Sequence, residues 1–183
     1  DVGGHADPEV EALVAVLGQD FLLKALDAGL VAPVPQDGDE HALAAGAHVH
    51  GVIPHFLNTV EHGHQNLSRL EVVADMRERK HRMIADSHAV VSLPGGSGTF
   101  EELFEVLTLK RLGLFLGPVV LVNTNAYFNR FVEFLQHSVR ERFMAEPHIG
   151  MWSLVDEPEQ VLVALHQAPA WSSDARDFAA VRA

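Results

Sequence analysis

A run of strand-forming residues, Ala89-Val90-Val91-Ser92-Leu93, passes directly into Pro94-Gly95-Gly96-Ser97-Gly98-Thr99 and then into an apolar helical run through Phe104, Leu107 and Leu112. No other feature constrains the chain as much. A buried strand, a glycine-rich turn and a helix, in that order, open a parallel α/β unit and leave several N–H groups at the helix start without intrahelical partners. Phosphate is the natural guest of such a turn, and glycine lets it approach the backbone closely. The spacing is neither G-x-G-x-x-G nor G-x-x-x-x-G-K-[ST], so the dinucleotide and P-loop patterns lose support. A glycine turn between strand and helix also occurs as plain structure, and the motif alone leaves both readings open.

The same alternation extends through the chain and predicts an α/β fold, a Rossmann-like doubly wound parallel sheet in a single domain over 1–168. A helix is expected over 9–28, where Val10, Leu13, Val14, Leu17, Phe21, Leu22 and Leu26 recur mostly at intervals of three and four, with Gly29 as its stop. Strands are expected at 30–34, 48–53, 70–74, 89–93, 118–123 and 152–155, the first weakened by Pro33 and Pro35. Asp75-Met76-Arg77-Glu78 has the form of a capping box and opens a helix running to about residue 86. Further helices are expected over 127–142, with Tyr127, Phe128 and Phe131 in the core, and over 158–166. The tail, 169–183, has weak periodicity around Trp171 and reads as an appendage or a packing arm.

Composition narrows the function. Of 183 residues, 48% are apolar and 21% charged, with a formal charge of -12. That is globular composition, and the negative balance opposes binding to nucleic acid or to an anionic membrane. A small anion remains compatible, because helix N–H groups hold phosphate without net charge. No cysteine is present, which removes disulfides and thiolate zinc sites. No apolar run reaches the roughly 18 residues of a spanning helix, and no signal-peptide pattern opens the sequence, so a cytoplasmic chain is expected.

Three sets of polar residues are candidates for chemistry. Thr99-Phe100-Glu101-Glu102 reads as a capping box, but Glu102 one turn into a phosphate-binding helix also suits a carboxylate facing a bound ribose. Arg79-Lys80 reads either as a solvated basic face or as an anion contact. The twelve histidines include His48-Val49-His50 and His62-Gly63-His64, which lack a third ligand at a recognisable spacing, and no metal is expected.

Met76-Arg77-Glu78-Arg79-Lys80 and Pro94-Gly95-Gly96-Ser97-Gly98-Thr99-Phe100-Glu101-Glu102 resemble the paired M-x-x-R-K and P-G-G-x-G-T-x-x-E signatures of the Lonely Guy family. With Gly51-Val52-Ile53-Pro54 before them and Leu112-Gly113 and Pro118 after, the resemblance runs from about Ala47 to about Leu165. It implies hydrolysis of the N-glycosidic bond of a nucleoside 5'-monophosphate, typically of an N6-modified adenine (a cytokinin), releasing free base and ribose 5-phosphate without a cofactor. By the same resemblance Arg79 and Glu102 form the catalytic pair. Lys80, Gly95, Gly96, Gly98 and Thr99 hold the substrate, and the chain is a homodimer. The apolar stretch from Phe104 to Leu116 agrees with the last point, carrying more hydrophobic surface than one sheet face needs.

The N-terminal third departs from the family. The opening strand is expected to be missing, and Pro33-Val34-Pro35-Gln36-Asp37-Gly38-Asp39 stands where a glycine run is usual. Prolines lack N–H donors, and Asp37 and Asp39 repel phosphate. Two alternatives stay open: a nucleosidase for ordinary purine or pyrimidine monophosphates, and a non-catalytic carrier of a phosphorylated cofactor. The lysine decarboxylase label often given to the wider family requires a Schiff-base lysine, and no predicted strand end supplies one.

Overall fold

The computed structural model describes residues 13–17, 21–24, 43–44, 46–58, 67–85 and 87–179. Among the described residues seven strands form one sheet: β1 (Leu13–Leu17), β2 (Phe21–Lys24), β3 (His48–Pro54), β4 (Arg69–Val73), β5 (Ala89–Ser92), β6 (Val119–Val122) and β7 (Ser153–Val155), in the order β4-β3-β2-β1-β5-β6-β7. Pairing is parallel along β1-β5-β6-β7 and between β3 and β4, and antiparallel where β2 meets β1 and β3. The α/β class therefore holds, and β2 is the one strand running against the rest.

The helix expected over 9–28 is replaced by β1 and β2. Leu13-Val14-Ala15-Val16-Leu17 is an unbroken apolar run, which suits a strand buried on both faces as well as it suits a helix. Gly18-Gln19-Asp20 is a turn signal inside the supposed helix. The opening strand expected to be absent is thus supplied by β1, alongside β5 in the register Leu17 to Ser92. The stretch 30–39, with its proposed strand and proline-rich loop, lies outside the described residues.

Helices are α1 (His55–Asn58), α2 (Met76–Ala85), α3 (Ser97–Arg111), α4 (Asn129–Arg140), α5 (Val161–Gln167) and α6 (Arg176–Ala179); α2 to α5 stand where helices were expected, and α1 and α6 are additions to that reading. All four residues of β5 and of β6 are buried, and they alternate between two cores. Val90, Val119 and Leu121 pack with Met83, Leu103, Val106, Phe128 and Phe131, under α2, α3 and α4. Ala89, Val91, Val120 and Val122 pack with Val155 and, from α5, with Val161 and Leu165. Each fully buried aliphatic side chain contributes about 1.5–3 kcal/mol, so central strands covered on both faces anchor the domain.

Outer strand β4 is more polar. Glu71 lies 3.2 Å from Arg82 Nε, 3.5 Å from His50 Nε2 and 3.6 Å from Arg69 Nη2, beside exposed Leu70 and Val72. The tail is a packing arm: Trp171 Nε1 donates to the Lys110 carbonyl at 2.7 Å, and Arg111 donates to the Ala179 carbonyl. No helix among the described residues is long and apolar enough to cross a membrane.

Candidate active site

The chain winds from β1 toward β4 on one side and from β5 toward β7 on the other, so the sheet reverses between the neighbours β1 and β5. In α/β sheets ligands bind outside the carboxyl ends of the strands at such a reversal. The turn 93–96 leaves β5 there. Two helices start at the same edge, α2 after β4 and α3 after β5.

Their N-termini are finished differently. At α2, Asp75 Oδ1 accepts from the Glu78 N–H at 2.9 Å, and Glu78 Oε2 accepts from the Ala74 N–H at 3.0 Å. This is the expected box, reaching one residue farther back. At α3 the N-cap is Gly96, which has no side chain to cap with, and the first intrahelical bond runs from the Phe100 N–H to the Gly96 carbonyl at 3.2 Å. The capping box expected of Thr99 and Glu102 is therefore not formed. The helix begins two residues before Thr99, which places Thr99 and Glu102 one turn apart on its buried face.

Glu102 instead meets Arg79. Their side chains are each only 6% exposed, with Nη2 and Oε1 3.4 Å apart, and Arg79 Nη1 also reaches Met76 Sδ at 3.9 Å. Removing two charges from water is costly, and a separation longer than a tight charged hydrogen bond recovers only part of that cost. Lys80, the next residue of α2, faces outward to Glu101 Oε1 at 2.7 Å and Glu105 Oε2 at 2.8 Å. Its hydrogen bonds to Glu101 and then Glu105 raise its pKa above the ordinary lysine value. The structure thus brings Arg79 and Glu102 together and ties Lys80 to two carboxylates.

The glycines have separate reasons. A Cβ on Gly95 would lie 2.1 Å from Thr99 Oγ1, so this position admits no side chain without displacing Thr99. Around Gly96 and Gly98 there is open space, which leaves the backbone approachable. Thr99 is buried, while Pro94, Gly96, Ser97 and Gly98 are exposed.

Two expectations about lysine and tyrosine change. A buried lysine does exist, Lys110, but it closes the far end of α3, with Nζ 2.6 Å from the Gly117 carbonyl and 5.2 Å from the Trp171 ring centroid. Burial lowers its pKa to about 8. Phe128 and Phe131 are core as expected, whereas Tyr127 is 42% exposed and its hydroxyl donates to the Gly95 carbonyl. The missed signal was Asn123-Thr124-Asn125-Ala126, a turn-forming run directly after β6 at the functional edge of the sheet.

A family model described as "Possible lysine decarboxylase" matches residues 37–165. A protein of Oryza sativa subsp. japonica named probable cytokinin riboside 5'-monophosphate phosphoribohydrolase is 33% identical over 89% of this chain and 72% of its own length. A cytokinin riboside 5'-monophosphate phosphoribohydrolase of Arabidopsis thaliana is 37% identical over 70% of this chain and 61% of its own length. One of Rhodococcoides fascians is 43% identical over 56% and 52%, so the chain spans between half and three quarters of these relatives.

Proposed function

The chain belongs to the Lonely Guy family, which the possible lysine decarboxylase model covers, and from that membership we propose that it hydrolyses the N-glycosidic bond of a nucleoside 5'-monophosphate. An N6-modified AMP is the expected substrate, in line with the names its relatives carry.

The assignment is carried by Arg79 and Glu102, 23 positions apart and on different helices, meeting in burial beside a glycine turn whose helix has no side-chain cap. The 5'-phosphate docks on N–H groups of Gly95, Gly96, Gly98 and Thr99. The ribose then lies along the first turns of α3, with its anomeric carbon toward Glu102. As the bond from that carbon to the base nitrogen breaks, positive charge develops on the sugar, and the Glu102 carboxylate stabilises it while taking a proton from the attacking water. The water oxygen bonds to the anomeric carbon. The base leaves with the bonding pair and takes up a proton, and the Arg79 guanidinium stabilises its developing negative charge. Lys80 has to leave Glu101 or Glu105 to reach a ligand, which makes its contribution the smallest of the set.

A decarboxylase fits these residues poorly. A Schiff base needs a neutral amine at the reacting centre. Lys80 is held charged by two carboxylates, Lys110 is sealed at the other end of α3, and Lys24 ends β2 opposite Leu13, at the edge of the sheet away from the glycine turn.

The reading also makes the protein a cytoplasmic homodimer. Leu114 is 70% exposed in the single chain, alongside exposed Phe104, Leu112 and Leu116, so the apolar stretch flagged by the sequence remains open to a second copy. A monomeric mass by light scattering at micromolar concentration contradicts the dimer.

The test of function is incubation with AMP, its N6-isopentenyl derivative and other monophosphates, following free base and ribose 5-phosphate. Faster turnover of the N6-modified substrate is expected. Equal turnover of ordinary monophosphates leaves a general nucleosidase, and no turnover of any monophosphate overturns the enzyme in favour of a carrier.

A further inference from the structure

Tyr127 is delivered to the glycine turn at a cost. The two residues before it, Asn125 and Ala126, have φ of 55° and 59°, a left-handed conformation that a Cβ disfavours, and strain of this kind collects at functional sites. Its ring lies nearly parallel to that of Phe100 on α3, with centroids 6.2 Å apart and planes 19° apart. Its hydroxyl, instead of pointing to water, donates to the carbonyl of Gly95.

The atom chosen is informative. The peptide unit between Gly95 and Gly96 is planar, so its carbonyl and its N–H point in opposite directions, and fixing one fixes the other. Glycines on both sides make this unit unusually free to flip. A flip exchanges the outward N–H for a carbonyl, replacing an attraction for an anion with a repulsion.

We infer that Tyr127 is a positioning residue for the phosphate: its hydroxyl locks the Gly95-Gly96 peptide so that the Gly96 N–H stays directed at the ligand. The inference rests on the phosphoribohydrolase reading for the identity of that ligand. It adds a specificity device contributed by the turn after β6, outside both sequence signatures. A lock of this type acts before chemistry, because a site competent for only part of the time binds more weakly in proportion.

The experiment uses the full chain and two variants, Tyr127→Phe, which removes only the hydroxyl, and Tyr127→Leu, which also removes the ring. Inorganic phosphate and ribose 5-phosphate are titrated by calorimetry, and KM and kcat are measured on the monophosphate that is turned over. One neutral hydrogen bond is worth about a tenfold change at most, and a peptide already mostly locked in wild type passes on only part of it, so Tyr127→Phe is expected to raise the phosphate Kd and the KM by about twofold to fivefold. Most of the change falls on KM, and the melting temperature falls by no more than a few degrees.

An unchanged phosphate Kd in Tyr127→Phe overturns the inference. So does a loss confined to Tyr127→Leu, which identifies the ring as a stacking surface for the base. Wild-type protein that binds no phosphate overturns it as well. If wild type binds phosphate but hydrolyses no monophosphate, the enzymatic reading fails while the phosphate titration of Tyr127→Phe still decides the role of the hydroxyl.

Discussion

The two ends of α3 solve the same problem in opposite ways. A helix leaves four N–H groups at its start and four carbonyls at its finish without internal partners. At the finish this chain satisfies two of them, the carbonyls of Leu109 and Lys110, itself. The Leu114 N–H bonds to the Leu109 carbonyl at 2.8 Å and the Gly113 N–H to the Lys110 carbonyl at 3.0 Å, with Gly113 at φ 68°, which is a Schellman motif. Trp171 adds a donor to the Lys110 carbonyl, and Lys110 Nζ folds back on the carbonyls of Leu116 and Gly117. At the start, Gly96 provides no side-chain cap. A helix closed at one end by residues as distant as Trp171 and without a side-chain cap at the other has the asymmetry that the proposed phosphate site requires.

The comparison is broken most directly at the open end. Glu102→Gln removes the charge opposite Arg79 while keeping the shape, and turnover should fall by about a hundredfold or more, the scale of lost acid–base catalysis. Stability should fall too, because a buried charge-to-charge attraction is lost. Steady-state kinetics with a melting curve checks both, and retained turnover ends the catalytic assignment.

The closed end should respond in stability, not turnover. The Lys110 pKa is lowered from 10.5 to about 8 by burial. Below pH 8 both folded and unfolded chains are protonated and the cost of burial stands in full. Between about 8 and 10.5 only the unfolded chain holds the proton, so stability rises with pH, by at most about 3 kcal/mol at 1.36 kcal/mol per unit. Denaturant midpoints at pH 7.5 and 10 should show this rise in wild type and not in Lys110→Met. Equal rises in both would mean that another group carries it. Trp171→Ala should cost about 2 kcal/mol through lost packing and one lost donor, with turnover per folded molecule unchanged, since the ends of a 15-residue helix lie about 20 Å apart. A fall in turnover would show the two ends to be coupled. Lys80→Gln should do least: below about 1 kcal/mol in chemical denaturation, as for other solvent-screened pairs, with at most a modest rise in KM. A large KM effect would move Lys80 from tether to ligand.

What the sequence disclosed follows the range of the forces involved. The segment from Ala89 to Arg111 was legible because strand burial, glycine turn and helical period are all local. So was the box at Asp75 and Glu78. The same kind of signal misled at Thr99, where the S/T-x-x-E pattern marks a cap only if the helix starts there, and the start is set instead by the turn at Gly96. β1 and β2 were hidden because Leu13, Leu17 and Phe21 also recur at the helical interval, and a short apolar run fits a strand or a helix equally. Pairings of Lys80 with Glu101 and Glu105, of Tyr127 with Gly95 and of Trp171 with Lys110 join residues 21 to 61 positions apart, and propensity carries no information about them. Arg79 and Glu102 were placed by family resemblance, and their contact at 3.4 Å is what tertiary structure added.

The charged rim of β4 bears on how the protein survives at high concentration. This strand is outermost on its side of the described sheet, and an uncovered strand edge invites another chain to extend the ladder. Leu70 and Val72 would favour that event, but Glu71 sits among Arg69, Arg82 and His50, and an incoming strand would have to dehydrate the group. Such a cluster makes the strand a poor template for open-ended sheet growth, the route to insoluble aggregates, and leaves the proposed contact between copies to the exposed apolar residues from Phe104 to Leu116.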